Sequence, residues 1–167
     1  MNKQNKNIAL IGMTGSGKTT ISRLLSQKLN CEYIDVDDYI KDKYNQSSAE
    51  LFKQGDDYFR CIEHQSISEI VDLSPRIIAT GGGVVERKGN MELLKKDRVI
   101  IFLNRPVDSI MKDMDLSRPL FKKDPDRLYK IFDKRYNLYK DYSDIEILND
   151  GAINEAVDKL IHYLTNM

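Results

Sequence analysis

The sequence predicts an α/β domain built on a parallel sheet with helices packed against it. Short apolar runs alternate with longer amphipathic segments along the 167 residues, which is the pattern of repeated βαβ units. No internal repeat, low-complexity segment or Gly/Pro/Ser-rich linker interrupts the alternation. We therefore expect a single domain over residues 1–167, with ligands bound beyond the carboxyl ends of the strands.

Five short apolar runs are predicted to be the strands. Each is rich in Ile, Val or Leu, or is bounded by glycines and polar residues, as is typical of buried strands. In chain order they cover residues 7–11, 32–34, 76–79, 98–103 and 145–148. The first run ends at Gly12 and the third is followed closely by three glycines, so the backbone at both ends can approach a ligand.

Helices are predicted between the strands. From Lys18 onward, apolar residues recur at helical spacing on one face up to Leu29, and the same period is found in three further segments and at the carboxyl end of the chain. These other helical segments cover residues 47–52, 56–71, 90–96 and 153–164. Gly55 separates the first two of them.

Two prolines mark helix starts in the second half of the chain. Pro106 suits the first residue of a helix. Asp124, Pro125 and Asp126 supply a capping acid, a proline and an early negative charge for a helix that runs to about Tyr142. The polar residues 112–124 have no clean period and are predicted to form a mobile loop.

Composition argues against several classes of function. Lys plus Arg number 26 and Asp plus Glu number 26, so the net charge of zero gives no reason to expect a nucleic acid or a membrane as partner. No apolar run approaches the roughly 20 residues of a membrane span. The polar start shows no signal peptide, and the two cysteines have no metal or redox spacing. We expect a cytoplasmic protein whose anion site is built locally.

Residues 12–19 match the pattern G-x-x-x-x-G-K-[ST], which binds nucleotide phosphates. Glycines let backbone N–H groups wrap the phosphates, and the following helix directs its positive end at them. A chance match is the alternative, but a predicted strand before the motif and a helix after it favour the phosphate loop. The predicted nucleotide-binding residues here are Gly12, Gly15, Ser16, Gly17, Lys18, Thr19 and Thr20. Lys18 is expected to bridge the β- and γ-phosphates, and Thr19 to ligate Mg²⁺.

Two acids follow the second predicted strand. Asp35 and Asp37 are two residues apart, so in an extended chain they would point to one side. One acid could hold Mg²⁺ through water, and the other could accept hydrogen bonds from the hydroxyls of a phosphoryl acceptor. A solvated turn is the alternative, since Asp is common at strand ends.

Two arginines are candidates for binding an anionic acceptor. Arg60 and Glu63 are three residues apart on a helix, so the acid can hold the guanidinium, although a plain surface ion pair has the same spacing. Arg135 falls on the apolar stripe of its helix and needs a partner there. A bound carboxylate or phosphate would supply that partner, and so would an ion pair within the protein.

Loop residues complete the candidate set. Gly81, Gly82 and Gly83 follow a strand and suggest close approach of the backbone to a ligand, with a flexible turn as the alternative. Arg118, in the polar loop, could swing over the phosphates and neutralise charge during transfer, as an arginine on a lid can, although many loop arginines have no such role.

Together these motifs resemble the shikimate kinase family. The family pattern consists of D-x-D, G-E-x-x-F-R-x-x-E, G-G-G, R-P-L and R-x-P-L-Y in that order. This chain has Asp35-Val36-Asp37, residues 55–63 ending in Phe59-Arg60-Cys61-Ile62-Glu63, the three glycines, Arg118-Pro119-Leu120 and Arg135-Tyr136-Asn137-Leu138-Tyr139. The resemblance extends from the phosphate loop to about Tyr142.

The resemblance implies a fold, a reaction and a role for each candidate. The fold is the three-layer P-loop kinase fold, a five-stranded parallel sheet in the order 2-3-1-4-5 with helices on both faces and a lid over about residues 112–124. The reaction transfers the γ-phosphoryl group of Mg·ATP to the 3-hydroxyl of shikimate. The acceptor region is expected at about residues 35–63, and the protein is expected to act as a monomer on small molecules.

The implied roles divide between the acceptor and the nucleotide. Asp37 binds the shikimate hydroxyls near the accepting oxygen, and Arg60 and Arg135 hold its carboxylate, with Glu63 orienting Arg60. Backbone at Gly81, Gly82 and Gly83 contacts the acceptor. Thr19 and Asp35 serve the magnesium, and Arg118 closes over the phosphates beside Lys18.

The chain departs from the family pattern at a few positions. Asp56 replaces the usual Glu, Asn137 replaces the usual Pro, and the lid lacks glycines often found there. Lys112 stands near the place of an adenine-stacking arginine, so it is assigned to the nucleotide site. The rival hypotheses are another small-molecule kinase, such as a gluconate or nucleoside monophosphate kinase, and a non-catalytic binding module. The absence of any histidine before His64 argues against the gluconate kinases, and Lys18, Asp37 and Arg118 argue against the module.

Overall fold

The sheet has five parallel strands in the order β2-β3-β1-β4-β5. The computed structural model describes residues 6–114 and 124–166. The strands are β1 Asn7–Ile11, β2 Tyr33–Asp35, β3 Ile77–Ala79, β4 Arg98–Asn104 and β5 Ile145–Leu148. This order and direction confirm the predicted fold class, and the strand bounds differ from those predicted by no more than a residue at either end.

Eight helices of at least one turn accompany the sheet within the described residues. They are α1 Lys18–Leu29, α2 Val36–Tyr44, α3 Ser48–Phe52, α4 Asp56–Leu73, α5 Lys88–Lys95, α6 Val107–Asp113, α7 Arg127–Tyr142 and α8 Ile153–Asn166. A short 3₁₀ turn, Val84–Glu86, follows the three glycines. Among residues 6–114 and 124–166, no helix combines the length and apolar character that a membrane span requires.

Alternate residues of each strand face two separate cores, as period two requires. On one face, Ala9 and Ile11 of β1 pack with residues of α2, α4, α5, α6 and α7. On the other face, Ile8 and Leu10 pack against α1 and α8. Since both faces of β1 are fully buried, the sheet lies between two helical layers, which gives the three-layer arrangement.

Helix α2 was not predicted, and its presence corrects the geometry expected for the two acids. Asp35 ends β2 and is the N-cap of α2, with its Oδ1 accepting hydrogen bonds from the backbone N–H groups of Asp37 and Asp38. Asp37 therefore lies in the first turn of a helix, and the extended Asp-x-Asp geometry was wrong. The capping acid, two acids in the first turn and the buried pair Val36 and Ile40 are the sequence signals for this helix.

Three predicted boundaries were also wrong. Pro106 is the N-cap of α6 and not its first residue. Asp124 does not cap α7 with its side chain, because its carboxylate instead accepts hydrogen bonds from Lys130 Nζ at 3.0 and 3.1 Å. Helix α6 extends through Asp113, so Lys112 is helical and the predicted loop does not begin there. Residues 115–123 of that loop lie outside the described residues.

Candidate active site

The phosphate loop follows β1 and is shaped by glycines. Gly12, Gly15 and Gly17 have φ of 145°, 81° and 95°, which residues with a side chain rarely adopt. A Cβ on Gly12 would lie 2.5 Å from the carbonyl oxygen of Leu103, so the loop also packs too closely against β4 for a side chain. Gly17 is the N-cap of α1, so the loop leads into the positive end of that helix.

The side chain of Lys18 contacts the part of the phosphate loop that precedes it in the chain. Its Nζ donates hydrogen bonds to the carbonyl oxygens of Gly12 and Met13, both at 2.7 Å. The side chain is almost fully buried, and this burial lowers the pKa of Lys18 to about 8 against the opposing effect of Asp37 and Asp35. The buried ammonium group is thus stabilised by carbonyl groups of the loop's own backbone.

Two polar side chains that sequence reasoning missed support the loop from outside. Asn149, directly after β5, donates from Nδ2 to the carbonyl oxygen of Ser16 at 2.9 Å. Arg105, directly after β4, donates from Nη1 to the carbonyl oxygen of Gly15 at 3.0 Å and also pairs with Asp113. Their positions just beyond strand ends were visible in the sequence, but only the sheet order brings those ends beside the loop.

Thr19 and Asp35 meet at the start of α1. Thr19 Oγ1 donates to Asp35 Oδ2 at 2.5 Å, while Asp35 Oδ1 caps α2. The predicted magnesium residues are therefore adjacent and present a hydroxyl and a carboxylate, which are the oxygen donors that Mg²⁺ prefers. Among the described residues, no group of three or more His, Cys, Asp or Glu side chains forms a metal cage.

An open pocket of about 790 Å³ begins beside the phosphate loop. Met13 and Thr14 of the loop line it, and most of the remaining lining comes from α3, α4, α7 and the segment after β3. The predicted acceptor residues in its lining are Asp37, Arg60, Gly81, Gly82, Gly83 and Arg135. Residues predicted from four separate motifs are thus brought to one cleft, and the fifth motif, Arg118-Pro119-Leu120, lies outside the described residues.

Asp37 faces this pocket from the first turn of α2. Its Oδ1 accepts a hydrogen bond from Ser48 Oγ at 2.7 Å, at the start of α3. Ser48 itself lines the pocket and was not predicted as a site residue. The Ser48 hydroxyl thus fixes one of the two carboxylate oxygens of Asp37.

Arg60 is fixed by an acid and by aromatic rings. Its Nη1 pairs with Glu63 Oε2 at 2.7 Å, which confirms the predicted pairing on α4. Its guanidinium carbon lies 5.2 and 5.3 Å from the ring centroids of Phe52 and Phe59. Burial raises the pKa of Glu63 although Arg60 opposes that rise, so the acid depends on its ion pair to stay charged.

Arg135 comes from α7 and meets the same acid as Arg60. Its Nη2 lies 3.0 Å from Glu86 Oε2, and Arg60 Nη2 lies 3.0 Å from that same oxygen. Lys134 Nζ lies 2.5 Å from the other oxygen of Glu86. The ion pair within the protein that the sequence left open as an alternative is therefore present, and Glu86 was missed because nothing in its local sequence marks it.

The three glycines allow close packing around these side chains. A Cβ on Gly82 would lie 2.8 Å from Thr14 Oγ1, and a Cβ on Gly83 would lie 2.1 Å from Arg60 Nη2. A Cβ on Gly81 would lie 3.2 Å from Glu63 Oε1. None of the three has a positive φ, so steric space and not backbone freedom accounts for the run.

Buried hydrogen bonds hold this glycine segment and Glu63 in place. Tyr139 donates from its hydroxyl to the carbonyl oxygen of Gly82 at 2.5 Å, and burial raises the pKa of Tyr139 to about 12. Asn90, fully buried on α5, donates to Glu63 Oε2 at 3.4 Å and contacts His64 Nδ1 at 2.8 Å. Neither Asn90 nor the Tyr139 hydroxyl was predicted to support the site.

Three residues predicted to bind the nucleotide are not tested by the structure. Arg118 falls within residues 115–123, which lie outside the described residues. Lys112 is exposed on α6, and Thr20 is partly buried on α1. Their predicted roles at the nucleotide stay predictions.

Comparison with known proteins gives the chain a family. The family model described as shikimate kinase matches residues 14–165. The shikimate kinase of Clostridium botulinum (strain Alaska E43 / Type E3) is 41% identical over 160 residues, covering 95% of this chain and 97% of that protein. The shikimate kinase of Clostridium beijerinckii is 40% identical over 154 residues, covering 92% and 91%.

Comparison with solved structures supports the same family. The shikimate kinase of Acinetobacter baumannii in complex with shikimate superposes with a TM-score of 0.87 at 29% identity, covering 96% of this chain and 93% of that one. The enzyme of Aquifex aeolicus gives 0.81 at 27% identity, covering 96% of each chain. A gluconokinase of Sinorhizobium meliloti gives 0.64 at 13% identity, which is a likeness of fold alone. With the motifs gathered in one cleft and the family model matching almost the whole length, the chain belongs to the shikimate kinase family.

Proposed function

We propose that this protein transfers the γ-phosphoryl group of ATP to the 3-hydroxyl of shikimate, giving shikimate 3-phosphate and ADP. One observation carries the assignment. The phosphate loop and the pocket with two arginines open onto the same cleft, since Met13 and Thr14 line that pocket together with Asp37, Arg60 and Arg135. A carboxylate bound by the arginines and a phosphate bound by the loop would then face each other across a short distance.

The acceptor is held at two ends. Arg60 and Arg135 bind its carboxylate, and Asp37 accepts hydrogen bonds from its hydroxyls with the oxygen that Ser48 leaves free. Glu63, held by Asn90, keeps Arg60 in place. Phosphoryl transfer has a loose transition state, so this positioning supplies much of the catalysis, and Asp37 takes the hydroxyl proton late in the reaction.

The phosphates are held on the other side of the cleft. Backbone N–H groups of residues 12–19 bind them, and Lys18 leaves its carbonyl partners to contact the β- and γ-phosphates. Thr19 and Asp35 are the residues that would hold Mg²⁺, directly and through water. The ion supplies neutralisation of charge on the transferring group.

The remaining assignments depend on the lid and the surface. Arg118 is proposed to close over the phosphates, and Lys112 to lie at the adenine. We also propose that residues 1–167 form one domain that acts as a cytoplasmic monomer on small molecules, without a nucleic acid or membrane partner; the balanced composition supports this.

Coupled ADP release tests the proposal. Shikimate should drive ADP release in the presence of Mg²⁺, and omission of Mg²⁺ should abolish it. Gluconate and nucleoside monophosphates serve as alternative acceptors in the same assay. Turnover of one of them in place of shikimate would reassign the substrate, and shikimate binding without any turnover would indicate a non-catalytic module.

A further inference from the structure

An acid of the protein itself occupies the predicted carboxylate site. Glu86 Oε2 accepts from Nη2 of both Arg60 and Arg135, each at 3.0 Å. Glu86 ends the 3₁₀ turn that follows the three glycines, and it lines the acceptor pocket. Its side chain is 18% exposed, so the pair of guanidiniums and the carboxylate are largely shielded from water.

We propose that Glu86 is an internal competitor for the acceptor's carboxylate, which occupies the arginine pair when the pocket is empty and is exchanged for the substrate. Glu86 thereby sets the affinity for the acceptor. This inference rests on the proposed function, since it takes Arg60 and Arg135 as the groups that bind the substrate's carboxylate.

The acid contacts that Arg60 already makes favour exchange over simple addition at this guanidinium. Arg60 already uses Nη1 for Glu63 and Nη2 for Glu86, so no terminal nitrogen is left without an acid. An acceptor carboxylate that reached both Nη2 atoms would lie next to Glu86 Oε2. Two ionised carboxylates at such a distance repel each other strongly, and so one of them must leave.

Glu86 is ionised while it occupies the site. Burial opposes its charge, but the Lys134 ammonium and the Arg135 guanidinium outweigh burial and hold the pKa of Glu86 below its usual value. At neutral pH the competitor is therefore a carboxylate of the same charge as the substrate's group.

Glu86 can leave the two arginines while it keeps its ion pair with Lys134. Lys134 Nζ holds the other oxygen, Oε1, at 2.5 Å, and the Lys134 side chain is 71% exposed. Rotation of the Glu86 side chain toward solvent can carry this ion pair along, since a long exposed lysine follows easily. The exchange then breaks two ion pairs to Glu86 and forms two to the acceptor, while the backbone stays in place.

The cost to affinity follows from the occupied fraction. When a site is available only part of the time, the apparent dissociation constant is the intrinsic constant divided by the available fraction. If Glu86 holds the arginines about nine-tenths of the time, the acceptor binds ~10-fold more weakly than it would to an empty pair. Removal of the Glu86 charge should therefore tighten acceptor binding by the same ~10-fold.

Calorimetric titration with shikimate tests the inference. We compare the wild type with Glu86→Gln, which removes the charge and keeps the size, and with Glu92→Gln as a matched control on the exposed face of α5. Glu86→Gln should bind shikimate ~10-fold more tightly, and Glu92→Gln should bind as the wild type does. Glu86→Ala should also bind more tightly.

The outcomes separate this inference from the proposed function. If the wild type neither binds nor phosphorylates shikimate, the proposed function fails. If the wild type is active and Glu86→Gln binds shikimate equally or more weakly, Glu86 orients the arginines and does not compete. Crystals of the wild type grown with and without shikimate need no variant: continued contact of Glu86 with both Nη2 atoms in the complex would overturn the exchange.

Discussion

The phosphate loop and the acceptor pocket lie side by side but are built in opposite ways. The loop is a continuous segment, residues 12–19, whose shape comes from glycine backbone and whose one cation contacts the loop's own carbonyls. The pocket draws residues from α2, α4, α7 and the glycine segment, and its two predicted arginines, Arg60 and Arg135, are paired with acids. The loop's own binding groups thus come from one segment, which Asn149 and Arg105 support from outside, whereas the pocket's binding groups come from several separate elements.

This difference predicts which property of the enzyme a substitution in each region should affect. In the loop, a substitution would remove a contact that we propose is made directly to the phosphates, so the rate of transfer should fall. In the pocket, each side chain is one member of a charged network, so a substitution should weaken acceptor binding while the phosphates remain in place. Four experiments test this difference between the loop and the pocket.

Removal of the loop lysine should have the largest effect. Lys18→Ala deletes the cation that we propose contacts the transferring phosphates, and kcat should fall about 10²- to 10³-fold, the cost of losing one donor to a transition state. Coupled ADP release measures it. Lys28→Ala, at the exposed end of the same helix, is the matched control and should retain wild-type turnover. Normal turnover in Lys18→Ala would remove the lysine from the mechanism.

Loss of either pocket arginine should act mainly on the acceptor. Arg60→Ala and Arg135→Ala should each weaken shikimate binding by about 1.5–3 kcal/mol for a lost charged hydrogen bond, which raises KM roughly 10- to 150-fold. KM for ATP should change little. Arg23→Ala, on the exposed face of α1, is the control. A normal shikimate KM in both variants would rule out the carboxylate clamp.

The titration of Lys18 should make nucleotide binding weaken at high pH. Burial lowers its pKa to about 8 in the free protein, and phosphates bind the charged form, so the Kd for ADP should rise ~10-fold per pH unit above that value. The folded protein loses this proton before the unfolded chain does, so the free energy of unfolding should rise between pH 8 and 10.5. Calorimetric titration of ADP from pH 7 to 9.5 measures the first effect, and Lys18→Met should show a flat profile over this range.

The smallest effect is expected from the support of the glycine segment. Tyr139→Phe removes the hydroxyl that donates to the buried carbonyl of Gly82, and the free energy of unfolding should fall by ~1–3 kcal/mol. KM for shikimate should rise less than in Arg135→Ala. Urea denaturation measures the change, with the exposed Tyr163→Phe as a control that should stay within about 0.5 kcal/mol. An unchanged stability would mean that another group satisfies this carbonyl.

The same contrast explains what could be predicted from the sequence. The phosphate loop, the strand alternation and the Arg60–Glu63 pair depend on local spacing, so they were predictable residue by residue. The sheet order came from family resemblance, because apolar runs do not specify which strands are neighbours.

The supporting residues could not be predicted because their partners are distant in the chain. Glu86 contacts Arg135 across 49 positions, and Asn149 contacts Ser16 across 133. Nothing in the neighbouring residues of Glu86 or Asn149 signals such a contact. The missed helix α2 is a different case, since its cap and its Val36 and Ile40 spacing are local signals that the extended reading of Asp35 and Asp37 overlooked.

The carboxylate of Asp35 contacts both the phosphate-loop helix and the helix that carries Asp37, so a substitution of Asp35 affects both regions. One oxygen accepts from Thr19 at the start of α1, and the other caps α2, the helix that carries Asp37. An alanine at position 35 would therefore confound loss of the proposed magnesium-binding carboxylate with tilting of helix α2. Asparagine keeps one oxygen for the cap and loses the charge, so Asp35→Asn isolates the electrostatic contribution from the mechanical one.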